Sequence, residues 1–295
     1  MCDFETTVYE GQTSTEVWAS ASVELFSEDV HIFHSIDEQF KYFLSQKCNI
    51  VAYYHNLKFD GSFWLSYLLV DKGFKQANKR IGESEIKVEW LQEKYMQNNT
   101  FKYSISDKGM WYGITIKAGN HFIEIRDSLK LLPFSVKRIG QSFGTKHKKL
   151  DMEYTGFRYA GCEITPEEKH YIANDVLVVK EALEIMFTEG HDKLTIGACC
   201  LSEYKKICKH STTNILDYEE MFPDMYSITI DANTYKYGTA GDYIRKSYRG
   251  GWCYLVKGKE NKIYKNGTTA DVNSLYPSMM SSESGNRYPV GVPHF

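Results

Sequence analysis

The sequence predicts an α/β fold. Three observations carry this reading. Strand-length runs of alternating or apolar residues recur through the first half of the chain, helix-period runs fall between them, and one long capped helix follows. In order, Met1 to Tyr9 reads as an opening strand and Val17 to Phe26 as a second. Ile36 to Gln46 reads as a helix with Phe40, Phe43 and Leu44 on one face. Cys48 to Tyr54 (CNIVAYY) is a short apolar run, expected as a buried strand. Asp60 to Leu69 follows as a helix carrying Phe63, Trp64, Tyr67 and Leu68. Residues 75 to 99 are polar, with a helix expected around Glu89. Phe101 to Ile105, Trp111 to Ala118 and His121 to Arg126 read as successive strands, split by Asp107-Lys108-Gly109 and Gly119-Asn120 turns. Pro166 to Glu189 is the clearest helix. Thr165 and Glu168 form a capping box, Pro166 takes the first helical position, and Gly190 stands past the end. Its apolar stripe is Ile172, Val176, Val179, Leu183 and Met186. Beyond it, loose helical pieces lead to an expected β-rich segment from Tyr243 to Tyr276.

Composition narrows the function. The 295 residues suit one or two domains with a sizeable core. Lys and Arg number 35 against 38 Asp and Glu, a net charge of -3. That excludes a globally basic DNA-coating protein and leaves room for a local basic track. Six Pro and 25% charged residues argue against a disordered or collagen-like chain. No apolar run approaches the roughly 18 residues of a membrane helix, so no membrane partner is expected. Only Met1 and Cys2 precede Asp3, so no signal peptide is expected. Seven Cys without a C-x-x-C pair argue against a disulfide framework or a zinc site. The expected setting is the reducing cytoplasm.

Four acids and a tyrosine form a pattern. Asp3 and Glu5 are two apart on a strand and share a face. Asp60 follows the Cys48–Tyr54 strand, where it either caps the next helix or joins a site at the strand's end. Tyr171 and Asp175 are one turn apart on the long helix, at the edge of its stripe. Hydrolysing a phosphodiester in line needs a nucleophilic water and a stabilised leaving oxygen, and two divalent cations serve both. Mg²⁺ or Mn²⁺ would take carboxylate oxygens. From Arg126 to Lys149 there are seven Lys or Arg and one acid, as a groove tracking a phosphate backbone needs.

The order D-x-E, D, Y-x-x-x-D resembles the proofreading 3′–5′ exonucleases of the ribonuclease H-like fold. The strings CDFETT (2–7), HNLKFDGSF (55–63), DSLKLLP (127–133) and YIAND (171–175) resemble more narrowly the exonuclease domain of protein-primed family B DNA polymerases of phages and linear plasmids. SYRGGW (247–252) is similar to their Y-x-G-G motif, and DVNSLYPS (271–278) to polymerase motif A. The resemblance covers essentially the whole chain. It implies a ribonuclease H-like exonuclease domain over 1–195, then a connector and incomplete polymerase palm over 196–295. Asp3, Glu5, Asp60 and Asp175 would bind two divalent ions, with Tyr171 positioning the nucleophile. Thr6, His55, Asn56, Phe59, Ser128, Leu129 and Phe134 would hold the single-stranded 3′ end. Phe59 could stack on a base or pack in the core. Lys149 would match the family's catalytic lysine, although the run KHKK (146–149) leaves its register open and an exposed basic face is the alternative. Tyr248, Gly250 and Gly251 would contact template. Asp271 and the Val272 carbonyl would bind polymerase metals, Ser274 and Leu275 would underlie the triphosphate, and Tyr276 would exclude a ribose.

Two departures qualify the resemblance. Neither a Y-x-D-T-D string nor a K-x-x-x-N-S-x-Y-G string occurs, so this chain alone is expected not to polymerise. Primer-template DNA is an expected partner beside single strands. Deoxynucleoside triphosphates and a terminal protein would be partners only with a C-terminal half. Two residues before Asp3 make a short first strand, which leaves a non-catalytic DNA- or terminal-protein-binding remnant as one alternative. A stand-alone exonuclease is the other.

Overall fold

The structure is a computed structural model that describes residues 1–7, 9–81, 87–152, 157–210 and 216–295. The chain divides into two compact units, Met1–Leu201 and Ser202–Phe295.

In the first unit the elements run β1 (Cys2–Thr6), β2 (Val17–Val23), β3 (Val30–Phe33), α1 (Ile36–Ser45), β4 (Ile50–Tyr54) and α2 (Leu57–Ser66), the last continued by a wider turn over Tyr67–Asp71. Then come β5 (Lys75–Gln76), β6 (Asn78–Ile81), β7 (Lys87–Trp90), β8 (Thr100–Ile105), β9 (Trp111–Ala118), β10 (His121–Asp127), α3 (Val136–Ser142) and α4 (Pro166–Thr188). Eight strands form one mixed sheet in the order β3-β2-β1-β4-β10-β9-β8-β5. β1, β4 and β10 are parallel neighbours at its centre. β6 and β7 pair as a separate hairpin.

Alternation along β1 sorts the two cores. Cys2 and Phe4 join a cluster with Phe40 and Phe43 of α1, Trp64 of α2 and Leu68 of the wider turn that follows it. Met1 lies in the other cluster, with Ile172, Val176, Val179 and Leu183 of α4. Asp3 and Glu5 share the parity of Met1 and so point toward α4. α4 begins at the expected capping box: Thr165 accepts from the Glu168 N–H, and the Glu168 carboxylate accepts from the Thr165 N–H at 2.9 Å. All five residues of its expected stripe are buried.

Several expectations change. Leu44 is exposed, because α1 buries its Gln39, Phe40 and Phe43 face instead. Glu89 lies on β7, where cross-strand pairing with β6 overrides helix propensity. α2 starts a turn early, at Leu57, because an acceptor described below caps that end. β3, β5 and α3 add short elements with little periodicity to read.

The second unit holds α5 (Ile196–His210), which starts just inside the first, and α6 (Tyr218–Met221), α7 (Ala232–Tyr235), α8 (Ala240–Arg245) and α9 (Leu275–Met280). The β-rich segment expected from Tyr243 to Tyr276 contains no strand. A strand needs a paired neighbour for its backbone groups, and none lies beside this stretch among the described residues. No helix among the described residues is long and apolar enough to cross a membrane.

Candidate functional site

The parallel strands β1, β4 and β10 direct the elements that gather the acids. On β1, Asp3 and Glu5 pair across the sheet with Ala21 and Ala19, whose small buried side chains leave room for carboxylates beside α4. Asp175 of α4 reaches the same place. Carboxylate oxygens of Asp3, Glu5 and Asp175 all lie within 4.8 Å of one another. Asp60 stands outside that closest group but beside it, since its charge is felt at Asp3.

Asp3, Asp60 and Asp175 resist ionisation. Burial, then the charges of Asp60, Glu5 and Asp175, raise Asp3 well above the usual carboxylate range. Burial pushes Asp60 up to about 8, and the backbone N–H groups of Asp60 and Phe4 oppose the shift. Burial also raises Asp175, against the pull of Lys149. One oxygen of Asp60 and one of Asp175 are buried without a hydrogen-bond partner. Buried polar atoms are normally satisfied. Unpaired hard oxygens crowded in one place fit a divalent cation of the Mg²⁺ or Mn²⁺ type.

The elbow between β4 and α2 sets Asp60. Asn56 takes a left-handed conformation, φ 69°. The Asp127 carboxylate, at the end of β10, accepts from the N–H groups of Asn56 (3.1 Å), Leu57 (3.2 Å) and Leu129 (3.0 Å). An acceptor at a helix N-terminus satisfies donors the helix cannot. Asp60 sits one turn further in. Gly61 beside it lies so close to Trp111 that an added Cβ would come 2.6 Å from the ring.

Around this elbow the expected strand-binding residues divide. Phe59 is 48% exposed and meets the Phe63 ring edge-on at 5.3 Å, so its free face looks outward. Asn56 is exposed, and Thr6, Leu129 and Phe134 are half-buried. Ser128 departs from expectation. It is fully buried and its hydroxyl donates to the Tyr54 carbonyl at 3.1 Å. That hydroxyl also lies 3.1 Å from Nδ1 of His55, while Nε2 of His55 donates to the Phe134 carbonyl at 2.8 Å. Ser128 is thus an internal brace, and its side chain offers no surface to a ligand.

The structure distinguishes the lysines of the 146–149 run. Lys146 faces Glu28 at 3.5 Å and Lys148 donates to the Gly140 carbonyl at 2.7 Å. Lys149 pairs with the Asp175 carboxylate and donates to the Tyr171 hydroxyl at 2.6 Å.

In the second unit Tyr248 is 82% exposed, and Gly250 and Gly251 lie in the open, with nothing within 4 Å of an added Cβ. Asp271 and Val272 are exposed. Ser274, at φ 53°, precedes α9, and Leu275 and Tyr276 lie exposed in its first turn. The described residues do not gather this group into a pocket.

A family model of type B DNA polymerases, organellar and viral, matches residues 41–163 and 158–295. The chain belongs to this family. It is 36% identical over 299 residues to a DNA polymerase of Bacillus phage Nf, covering 99% of this chain and 45% of that protein. It is 35% identical over 287 residues to the DNA polymerase of Bacillus phage phi29, covering 95% of this chain and 44% of that one. The solved phi29 polymerase with primer-template DNA and incoming nucleotides superposes at a TM-score of 0.66, with 32% identity over 87% of this chain and 40% of that one. Its complex with single-stranded DNA gives 0.65 over the same shares. The chain therefore spans less than half the length of these relatives.

In this type B polymerase chain two further residues hold the site that the motifs alone do not single out. Asp127 lies inside DSLKLLP, and its signal in the sequence is being the one acid in a basic tract. Gly61 gave a weaker signal, a glycine inside a helical run.

Proposed function

We propose that the first unit is a ribonuclease H-like 3′–5′ exonuclease domain that hydrolyses single-stranded DNA with two divalent ions. The convergence of Asp3, Glu5 and Asp175, with unpaired buried oxygens on Asp60 and Asp175, carries this reading. Asp3, Glu5, Asp60 and Asp175 would hold Mg²⁺ or Mn²⁺. When bound, the ions supply an activated water and stabilise the leaving oxygen.

The chain's own groups do the rest. Tyr171 presents its hydroxyl beside Asp175, where it can orient a water by hydrogen bonding. Lys149 neutralises Asp175 in the metal-free chain, and a cation here can offset charge that develops on a phosphate. Phe59 offers an outward ring for stacking on an unpaired base, and stacking needs no particular sequence. His55, held by Ser128 and Phe134, keeps the β4 end in register with the β10 end.

For the second unit the proposal is a connector and part of a polymerase palm. Tyr248, Gly250 and Gly251 would track template. Asp271 and Val272 would hold metal, and Ser274, Leu275 and Tyr276 would meet the incoming nucleotide. Primer-template DNA and nucleotides are bound by the phi29 polymerase, which supports the same substrates for the full-length architecture. Protein priming with a terminal protein and action in the host cytoplasm extend this reading from the phage relatives.

A 5′-labelled single strand with Mg²⁺ or Mn²⁺ tests the exonuclease. Stepwise shortening from the 3′ end, abolished by EDTA and by Asp3→Ala/Glu5→Ala, is the expected result. Intact binding without shortening would reduce the first unit to a DNA-binding role.

A further inference from the structure

Lys149 stands on a segment without regular secondary structure, yet its ammonium must be held over Asp175. A long, flexible cation is placed well only if its own backbone is fixed. The structure shows what fixes it. On α4, Tyr171, Asn174, Val178 and Glu181 follow at spacings of three, four and three residues and so line one face. That face carries the 145–149 segment. Glu181 receives His147 twice, from Nδ1 at 2.5 Å and from the backbone N–H at 3.3 Å. Asn174, buried, donates to the Lys148 carbonyl. The Thr145 hydroxyl donates to the His147 carbonyl at 2.7 Å. Gly140 of α3 closes the far side, where an added Cβ would meet Thr145, Val178 and Lys148 at 3.4 to 3.6 Å.

We infer that Glu181, through His147, and Asn174, through Lys148, form a clamp that positions Lys149 for hydrolysis. The inference rests on the exonuclease reading above. Neither Glu181 nor His147 touches the carboxylates that would hold metal, so both are positioning residues. The clamp holds backbone, which leaves the Lys149 side chain free to move from Asp175 toward a phosphate while its root stays put.

A double-mutant cycle on the full chain tests this, with the labelled single strand as substrate. Glu181→Ala should lower kcat by about tenfold and leave KM within about twofold, the mark of lost positioning rather than lost binding. Glu181→Gln, which keeps one acceptor for His147, should retain several-fold more activity than Glu181→Ala. In a Lys149→Ala background, Glu181→Ala should change kcat less than about twofold, because both changes remove one interaction. Equal losses in both backgrounds would assign Glu181 to general stability and overturn the clamp. So would a Lys149→Ala chain as active as its parent.

Amide hydrogen exchange supplies a readout that needs no activity. Glu181→Ala should speed exchange across 145–149 and leave 171–179 unchanged. Unchanged exchange at 145–149 would overturn the clamp. If the unsubstituted chain cleaves nothing, the exonuclease reading fails and exchange alone decides whether the segment is clamped.

Discussion

Asp60 shows what the site demands of one residue. Its carboxyl is 2% exposed, one oxygen lacks a partner, and burial lifts it to about 8. An acid whose folded pKa is raised binds its proton more tightly in the folded state. Without metal, its effect on stability is therefore unfavourable as pH rises from the ordinary carboxylate range toward about 8. The metal-free chain should melt at lower temperature at pH 8 than at pH 5, and Asp60→Asn should reduce that difference. Thermal melts in EDTA at both pH values check this. A like-charged cluster also predicts that Mg²⁺ raises the melting temperature more at pH 8 than at pH 5. Asp127 is held differently, by three backbone N–H donors on one carboxylate oxygen. Asp127→Ala strands three backbone donors at the elbow and should cost about 2–4 kcal/mol in denaturant unfolding. The proximity of Asp3 to Glu5 and of Tyr171 to Asp175 was legible because each pair obeys a local period. The role of Asp127 was not, because two of its donors lie about 70 residues earlier in the chain. Nor could the sequence rank Lys146, Lys148 and Lys149, since adjacent lysines differ only in what the fold brings to them.

At the scale of elements, alternation and punctuation proved readable in the longer elements that own a buried face. β8, β9 and β10 fall where alternating residues and their turns place them. α4 falls between its capping box and Gly190. Shorter or more polar elements, such as α3 and the β6–β7 pair, escaped. β6 and β7 are short and largely polar in sequence, and it is their pairing with each other that sets them as strands. The Tyr243–Tyr276 stretch has strand-like composition without a paired neighbour. The packing of α2 on β9 offers a sharp test. Gly61→Ala drives a methyl into the Trp111 ring and should destabilise the chain by about 1–3 kcal/mol. Gly61→Ala/Trp111→Leu should recover part of the loss, measured by the same denaturant midpoint.

For the whole molecule, two compact units were expected, with a boundary near residue 195; the division falls at residue 201. The first unit wraps both faces of its sheet in apolar cores. In the second, residues 249–274 are exposed throughout, and Trp252 and Ile263 are more than nine-tenths exposed. Limited proteolysis should therefore cut first within 249–274 and leave an intact fragment containing Met1–Leu201, visible by mass spectrometry. That fragment should retain metal-dependent shortening of single strands. Early cuts inside Met1–Leu201 would contradict the division.

The acids that meet in the site come from positions 3, 5, 60 and 175. A ribosome adding roughly 5–20 residues per second needs roughly ten to thirty seconds to pass from Glu5 to Asp175. During that interval a nascent chain displays an acidic edge with no fourth carboxylate and no α4 to cover it. Stalled chains that end before α4 should leave single strands untouched, while chains stalled well beyond it should shorten them. On the exonuclease reading proposed above, a chain laid out in this order would be born unarmed and would become active only as its long helix docks, so the time of arming would be written into the spacing of its carboxylates.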